Sequence, residues 1–91
     1  MRHSYSIVFT EDAKKDLKEL QKKAPLSLHK LAGLIDELQE HPKSGTGQLE
    51  PLKGFGGSVY SRRITKEHRL VYKVYEESKE VLVLSVFGHY R

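Results

Sequence analysis

The second half of this chain gathers a carboxylate, a lysine, three arginines and an imidazole, as Glu50, Lys53, Arg62, Arg63, Arg69 and His89, with Tyr90 directly after. A carboxylate is ionised at neutral pH and takes up protons. An imidazole can give one up where nearby negative charge favours its cation, and guanidinium groups hold oxyanions through paired N–H donors. The set suits proton transfer beside an anion. Spacing disfavours a metal: His3, His29, His41, His68 and His89 form neither an HExxH pattern nor paired zinc ligands, and cysteine is absent. Gly54-Phe55-Gly56-Gly57 is glycine-rich but lacks the rest of a phosphate-binding loop, so its simplest role is a flexible turn.

Each of these residues also has a plainer explanation. Glu50 precedes Pro51 and on its own reads as a loop carboxylate, and His89 lies in a C-terminal tail, where fraying is common. Arg62 and Arg63 are adjacent, so on a strand they face opposite sides; Arg63 is the one assigned to the site. Whether Arg63 meets Arg69 depends on the turn between them. A five-residue loop over 64–68 sets them opposite each other, whereas a four-residue loop over 65–68 pairs Ile64 with Arg69 and leaves Arg63 on the other side unless a bulge intervenes.

The elements that must position these groups follow from periodicity. Tyr5, Ile7 and Phe9 alternate with Ser6 and Val8 as in a short strand. Thr10 is placed to cap a helix, with Glu11 and Asp12 where the helix dipole favours negative charge. Ala13, Leu17, Leu20 and Ala24 then form one apolar stripe. Pro25 is expected to open a second helix with the stripe Leu28, Leu31, Ile35 and Leu38, ending near Glu40 because His41 precedes Pro42. Residues 42–48 read as a loop. Leu52 and Lys53 are expected to begin a short strand, and 59–64, 69–75 and 80–87 read as an antiparallel meander. The prediction is an α+β sandwich: an N-terminal strand, a two-helix hairpin, then the meander, with the helices on one sheet face and the other face open.

Size and charge narrow the partners. With 91 residues, one domain spanning 1–91 is expected. The longest apolar stretch, 81–87, is far shorter than the ~20 residues of a membrane helix, and residues 1–6 lack the apolar run of a secretory signal, so a soluble, cytoplasmic protein is expected. Sixteen Lys and Arg against twelve Asp and Glu leave +4, which favours polyanionic partners. Lys14, Lys15, Lys18, Lys22, Lys23 and Lys30 lie in the helical half, where each is best read as part of a solvated helix surface.

Beyond these readings, Leu49-Glu50-Pro51-Leu52-Lys53, the run from Ser61 to Tyr72 (SRRITKEHRLVY) and the ending His89-Tyr90 closely resemble the Txe/YoeB toxins of type II toxin–antitoxin modules, in the RelE/ParE superfamily. The resemblance is strong from about Gly45 to Tyr90 and implies a RelE-like fold. It also implies cleavage of messenger RNA held in the ribosome, without metal or cofactor, by attack of a ribose 2′-hydroxyl on the adjoining phosphate. Matched position by position, the family's base falls on Glu50, its acid on His89 and its phosphate-stabilising arginine on Arg69. Lys53 and Arg63 fall in support, with Tyr90 beside the acid.

Tyr60 is expected to stack on a base, although a larger aromatic usually occupies its position in the family. The family also usually ends at the tyrosine, whereas this chain adds Arg91. Two partners are implied: a cognate Phd/YefM-type antitoxin that covers the basic site, and a second copy in a homodimer. DNA is reached only through the antitoxin complex. The alternative is a non-catalytic RNA- or ribosome-binding module of the same fold. A DNA-binding repressor is disfavoured, because the second helix carries Asp36, Glu37 and Glu40 where a recognition helix would be basic.

Overall fold

The computed structural model describes residues 4–53 and 58–88. The chain runs β1 (Ser6–Phe9), α1 (Glu11–Lys23), α2 (Ser27–Leu38), β2 (Glu50–Pro51), β3 (Val59–Arg63), β4 (Arg69–Tyr75) and β5 (Glu80–Ser85). The α+β expectation holds, and so does the helical hairpin. Thr10 caps α1 as its type suggested, its Oγ1 accepting the Ala13 N–H at 3.0 Å.

The second helix starts later than expected. Pro25 stays in the connection and α2 begins at Ser27, whose hydroxyl donates to the Ala24 carbonyl at 2.6 Å and stitches the turn. The buried stripe of α2 is Ser27, Leu31, Leu34 and Leu38, with Leu28 and Ile35 flanking it. Leu34 is the leucine that the predicted stripe omitted. It is almost fully buried, and burial of such a side chain contributes about 1.5–3 kcal/mol.

The five strands form one sheet in the order β1-β5-β4-β3-β2. From β2 to β5 the pairing is antiparallel, the predicted meander, while β1 returns to lie parallel against β5. The short strand is Glu50–Pro51 rather than one starting at Leu52. Leu52 still donates its N–H to Val59 O, but the chain turns at Lys53 and leaves the ladder.

The last strand also stops earlier than expected, at Ser85. Val71 pairs with Ser85 and Tyr72 with Val83, so Leu84 is an extra residue on β5. That bulge reverses the alternation: Val81 and Val83 face the core before it, and Val86 does so after it. Asp16 of α1 fixes the new course by accepting the Val86 N–H at 3.2 Å.

The core lies between the helices and one sheet face, where Ala13, Leu20, Leu31, Leu34 and Leu38 meet Ile64, Leu70, Tyr72, Val74, Val81, Val83 and Val86. The opposite face is less open than expected, since Val59, Ser61 and Val71 on it are buried. That face is exposed at Glu50 on one side and at Val8 and Tyr75 on the other, with Arg63 partly covered.

Candidate active site

Cross-strand partners share a face, so the register decides which side chains can meet. Arg63 lies directly opposite Arg69, Ser61 opposite Val71, and Glu50 opposite Ser61. The turn between the two arginines spans 64–68 and is closed by His68 O, which accepts the N–H groups of Ile64 at 2.9 Å and Thr65 at 3.1 Å. Of the two registers the sequence left open, this is the one that joins the arginines. Glu50, Ser61, Arg63 and Arg69 therefore occupy one patch on the face away from the helices.

Arg69 is the fixed centre of the patch. Its Nε donates to Ser61 Oγ at 3.0 Å and its Nη2 to the Gln48 carbonyl at 3.0 Å. Glu50 Oε1 stands 3.9 Å from the same Nη2, an ion pair without a hydrogen bond. The arginine side chain is only 15% exposed, whereas that of Glu50 is 66% exposed. Arg63 is held on the other flank by Gln48, whose Oε1 accepts from Nη1 at 3.2 Å.

Like charges directly opposite on a sheet destabilise it, and the Glu50 carboxylate beside Arg69 offsets part of that repulsion. Two of the five N–H donors of Arg69 are committed to the scaffold by these hydrogen bonds. Glu50 is exposed at the edge of the same patch. Lys53 is exposed in the turn three residues after Glu50.

Arg62 faces the other way and does something different. Its side chain is fully buried, and all five guanidinium N–H groups find acceptors. Nε donates to Tyr72 Oη (2.9 Å), Nη1 to Glu37 Oε1 (2.6 Å) and Thr46 O (3.3 Å), and Nη2 to His41 O (2.6 Å) and Ser44 O (2.7 Å). The Tyr72 hydroxyl passes its own proton to Pro42 O at 2.6 Å. One buried cation thus pins the 41–46 loop, whose continuation supplies both contacts of Gln48 with the arginines of the patch.

The Thr46 hydroxyl and N–H, followed by Arg62, hold the Glu37 carboxyl below its ordinary value against the opposing effect of burial. Burial pushes the Tyr72 phenol up, with the Arg62 hydrogen bond working against it. Both shifts belong to the scaffold that carries the patch.

The predicted residues do not all converge. Glu50, Arg63 and Arg69 come together. Tyr60 does not: it pairs with Tyr72, stacks on it at 5.9 Å between ring centroids, and packs against the core on the helix side. Parity along β3 explains this, because Ser61 and Arg63 point to one face and Tyr60 and Arg62 to the other. His89 and Tyr90 lie outside the described residues. The chain arrives close by, however, since Gly88 O accepts the Arg69 N–H at 3.0 Å.

Sequence reasoning assigned no role to Ser61, Gln48 or His68. Strand parity alone would have placed Ser61 with Arg63. Gln48 carried no periodic signal, being a loop residue with φ of 51°. Among the described residues, no three His, Asp or Glu side chains gather where they could hold a metal ion, and no helix is long and apolar enough to cross a membrane. A recess of about 460 Å³ at the C-terminal end of α2 is lined by Asp36, Glu37, Gln39, Glu40 and His41, an acidic set of the wrong sign for a phosphate.

Known proteins are similar to this chain in sequence and fold. Residues 9–90 match the model of the YoeB-like toxin of bacterial type II toxin–antitoxin systems. Toxin YoeB of Escherichia coli K12 is 34% identical over 84 residues, covering 92% of this chain and 98% of that protein. A YoeB/ParE toxin from Agrobacterium tumefaciens superposes with a TM-score of 0.82 at 33% identity, covering 99% of this chain and all of the other. The YoeB of a heterotetrameric YoeB–YefM toxin–antitoxin complex from Staphylococcus aureus superposes with a TM-score of 0.76 at 32% identity, covering 94% and 98% of the two chains. These likenesses bear out the RelE-like fold expected from the sequence. With the family model spanning nearly its whole length, the chain belongs to the YoeB-like toxins of bacterial type II toxin–antitoxin systems.

Proposed function

We propose that this toxin is a ribosome-dependent messenger RNA endonuclease. The observation that carries the reading is the meeting of Glu50, Arg63 and Arg69 on the sheet face away from the helices, with the Glu50 carboxylate 3.9 Å from the Arg69 guanidinium. In this scheme Glu50 removes the proton of a ribose 2′-hydroxyl and the 2′ oxygen attacks the adjoining phosphorus. The bond to the 5′ oxygen breaks, and His89 protonates the departing oxygen. The products are a 2′,3′-cyclic phosphate and a 5′-hydroxyl. Arg69 stabilises the charge that develops on the phosphorane, with Arg63 and Lys53 in support and Tyr90 beside the acid.

The partners belong to the same reading. Messenger RNA on the ribosome is the substrate. A YefM-type antitoxin covers the cationic patch through charge complementarity, supported by the YoeB–YefM complex among the structural neighbours and by the +4 balance of this chain. A homodimer and a cytoplasmic site of action complete the proposal.

The test is to map new RNA ends on a translated message, with and without ribosomes. Cuts that require ribosomes and carry a cyclic phosphate support the scheme, and Glu50→Gln and His89→Gln should each abolish them. Ribosome binding without new ends would favour a non-catalytic module. Parental cleavage by both variants would remove Glu50 and His89 from the mechanism.

A further inference from the structure

His68 has no part in the chemistry just described, yet it is tied to the site at two points. Its backbone closes the turn before β4: His68 O accepts from Ile64 and Thr65, and its own N–H donates to Thr65 Oγ1 at 3.1 Å. Its ring is thereby presented from a fixed backbone. That ring stacks on Phe87, with centroids 4.5 Å apart and planes 26° from parallel. Its Nδ1 accepts the N–H of Gly88 at 2.8 Å, while the next residue, Arg69, donates its own N–H to Gly88 O at 3.0 Å.

Regular pairing of β5 ends at Ser85, so beyond Val86 these contacts fasten the chain to β4. Gly88 also has φ of 77°, a left-handed conformation that glycine adopts without strain. Because a backbone N–H can only donate, the imidazole nitrogen that meets it must carry a lone pair. The ring is therefore neutral, with its proton on Nε2.

We propose that His68 is a positioning residue, whose neutral ring clasps Phe87 and Gly88 against β4 beside Arg69 and so sets the point from which the next residue, His89, delivers its proton. The inference rests on the reading of His89 as the acid. The contribution of His68 is geometric. A misplacement of about 1 Å at a reacting group costs on the order of 10²-fold in rate, so a loosened tail slows cleavage without weakening docking on the ribosome.

Two substitutions separate the parts of the clasp. His68→Phe keeps a flat ring for Phe87 and removes the acceptor. His68→Asn removes the ring but offers a side-chain oxygen where Nδ1 stood. In the full-length protein, His68→Phe should lower single-turnover cleavage by about 10²-fold with KM and ribosome binding unchanged within roughly threefold. The Gly88 amide should exchange with solvent faster, and His68→Asn should restore most of both signals. In the parent, ¹⁵N shifts should show His68 as the Nε2–H tautomer.

Equal losses in the two variants that simply follow their melting temperatures would overturn the proposal. Parental cleavage by His68→Phe with the Gly88 amide still protected would do the same. If the parent makes no cut, the endonuclease reading falls by itself, and the Gly88 amide and the His68 tautomer still decide whether the clasp exists.

Discussion

Arg62 and Arg63 are neighbours in sequence with opposite functions. Arg63 adds charge to an exposed patch, whereas Arg62 spends all its donors inside the protein. Replacing Arg62 with Met should leave the carbonyls of His41, Ser44 and Thr46 without their buried donor. Removing one partner from such a network costs about 3 kcal/mol, measurable by urea denaturation. A cost under about 1 kcal/mol would show that water replaces the guanidinium. Arg69→Lys tests the other role. A lysine keeps the charge but not the fork that reaches Ser61 Oγ and Gln48 O together. The expected result is a fall of about 10²-fold in kcat with a melting temperature close to the parent's, read by single-turnover cleavage and thermal unfolding.

Between residues and fold stands the 41–48 loop, an irregular element with an ordered interior. Its turns depend on Gly45 and Gly47, at φ of 119° and 86°. A Cβ on Gly45 would overlap Glu37 Oε1 and come within 2.9 Å of Arg62 Nη1, so the ion pair would have to shift, and the backbone conformation strains any side chain there. Gly45→Ala should therefore destabilise the protein by about 2 kcal/mol or more. It should also weaken the hold of Gln48 on Arg63 and Arg69, lowering activity more than the stability loss alone accounts for. Cleavage assayed at a temperature where parent and variant are both folded separates the two effects.

For the whole molecule, the link between fold and site sets a response to acid. The Glu37 carboxyl is held below its ordinary value of 4.5 by Thr46 and Arg62. A carboxyl depressed on folding adds stability that is complete above its unfolded value and is lost as pH falls through the lower folded value. Glu76, bound by Lys43 and Tyr5, is shifted in the same direction. Unfolding free energy should thus decline from about pH 4.5 downward, with a shallower decline in Glu37→Gln, which is also less stable at neutral pH. Parallel acid limbs for parent and variant, in denaturant titrations at several pH values, would contradict this linkage. The positive balance of the chain acts over a longer range, and attraction of that kind for a polyanion weakens as salt rises.

Local pattern determined much of this protein. The cap at Thr10, the apolar stripe of α1, β4 from Arg69 to Tyr75 and the opposite facing of Arg62 and Arg63 follow from periods of 3.6 and 2 that any short stretch of chain expresses. The matched blocks around Glu50 and Arg69 carry the likeness to the family. Register and burial came only with the tertiary structure, because they depend on partners distant in the chain. The 64–68 turn set Arg63 against Arg69, parity with Tyr72 drew Tyr60 to the core side, and the extra residue at Leu84 turned the chain toward His68. A strand can disclose its own two faces, but which of them is covered, and what stands opposite, is decided by the elements that fold against it.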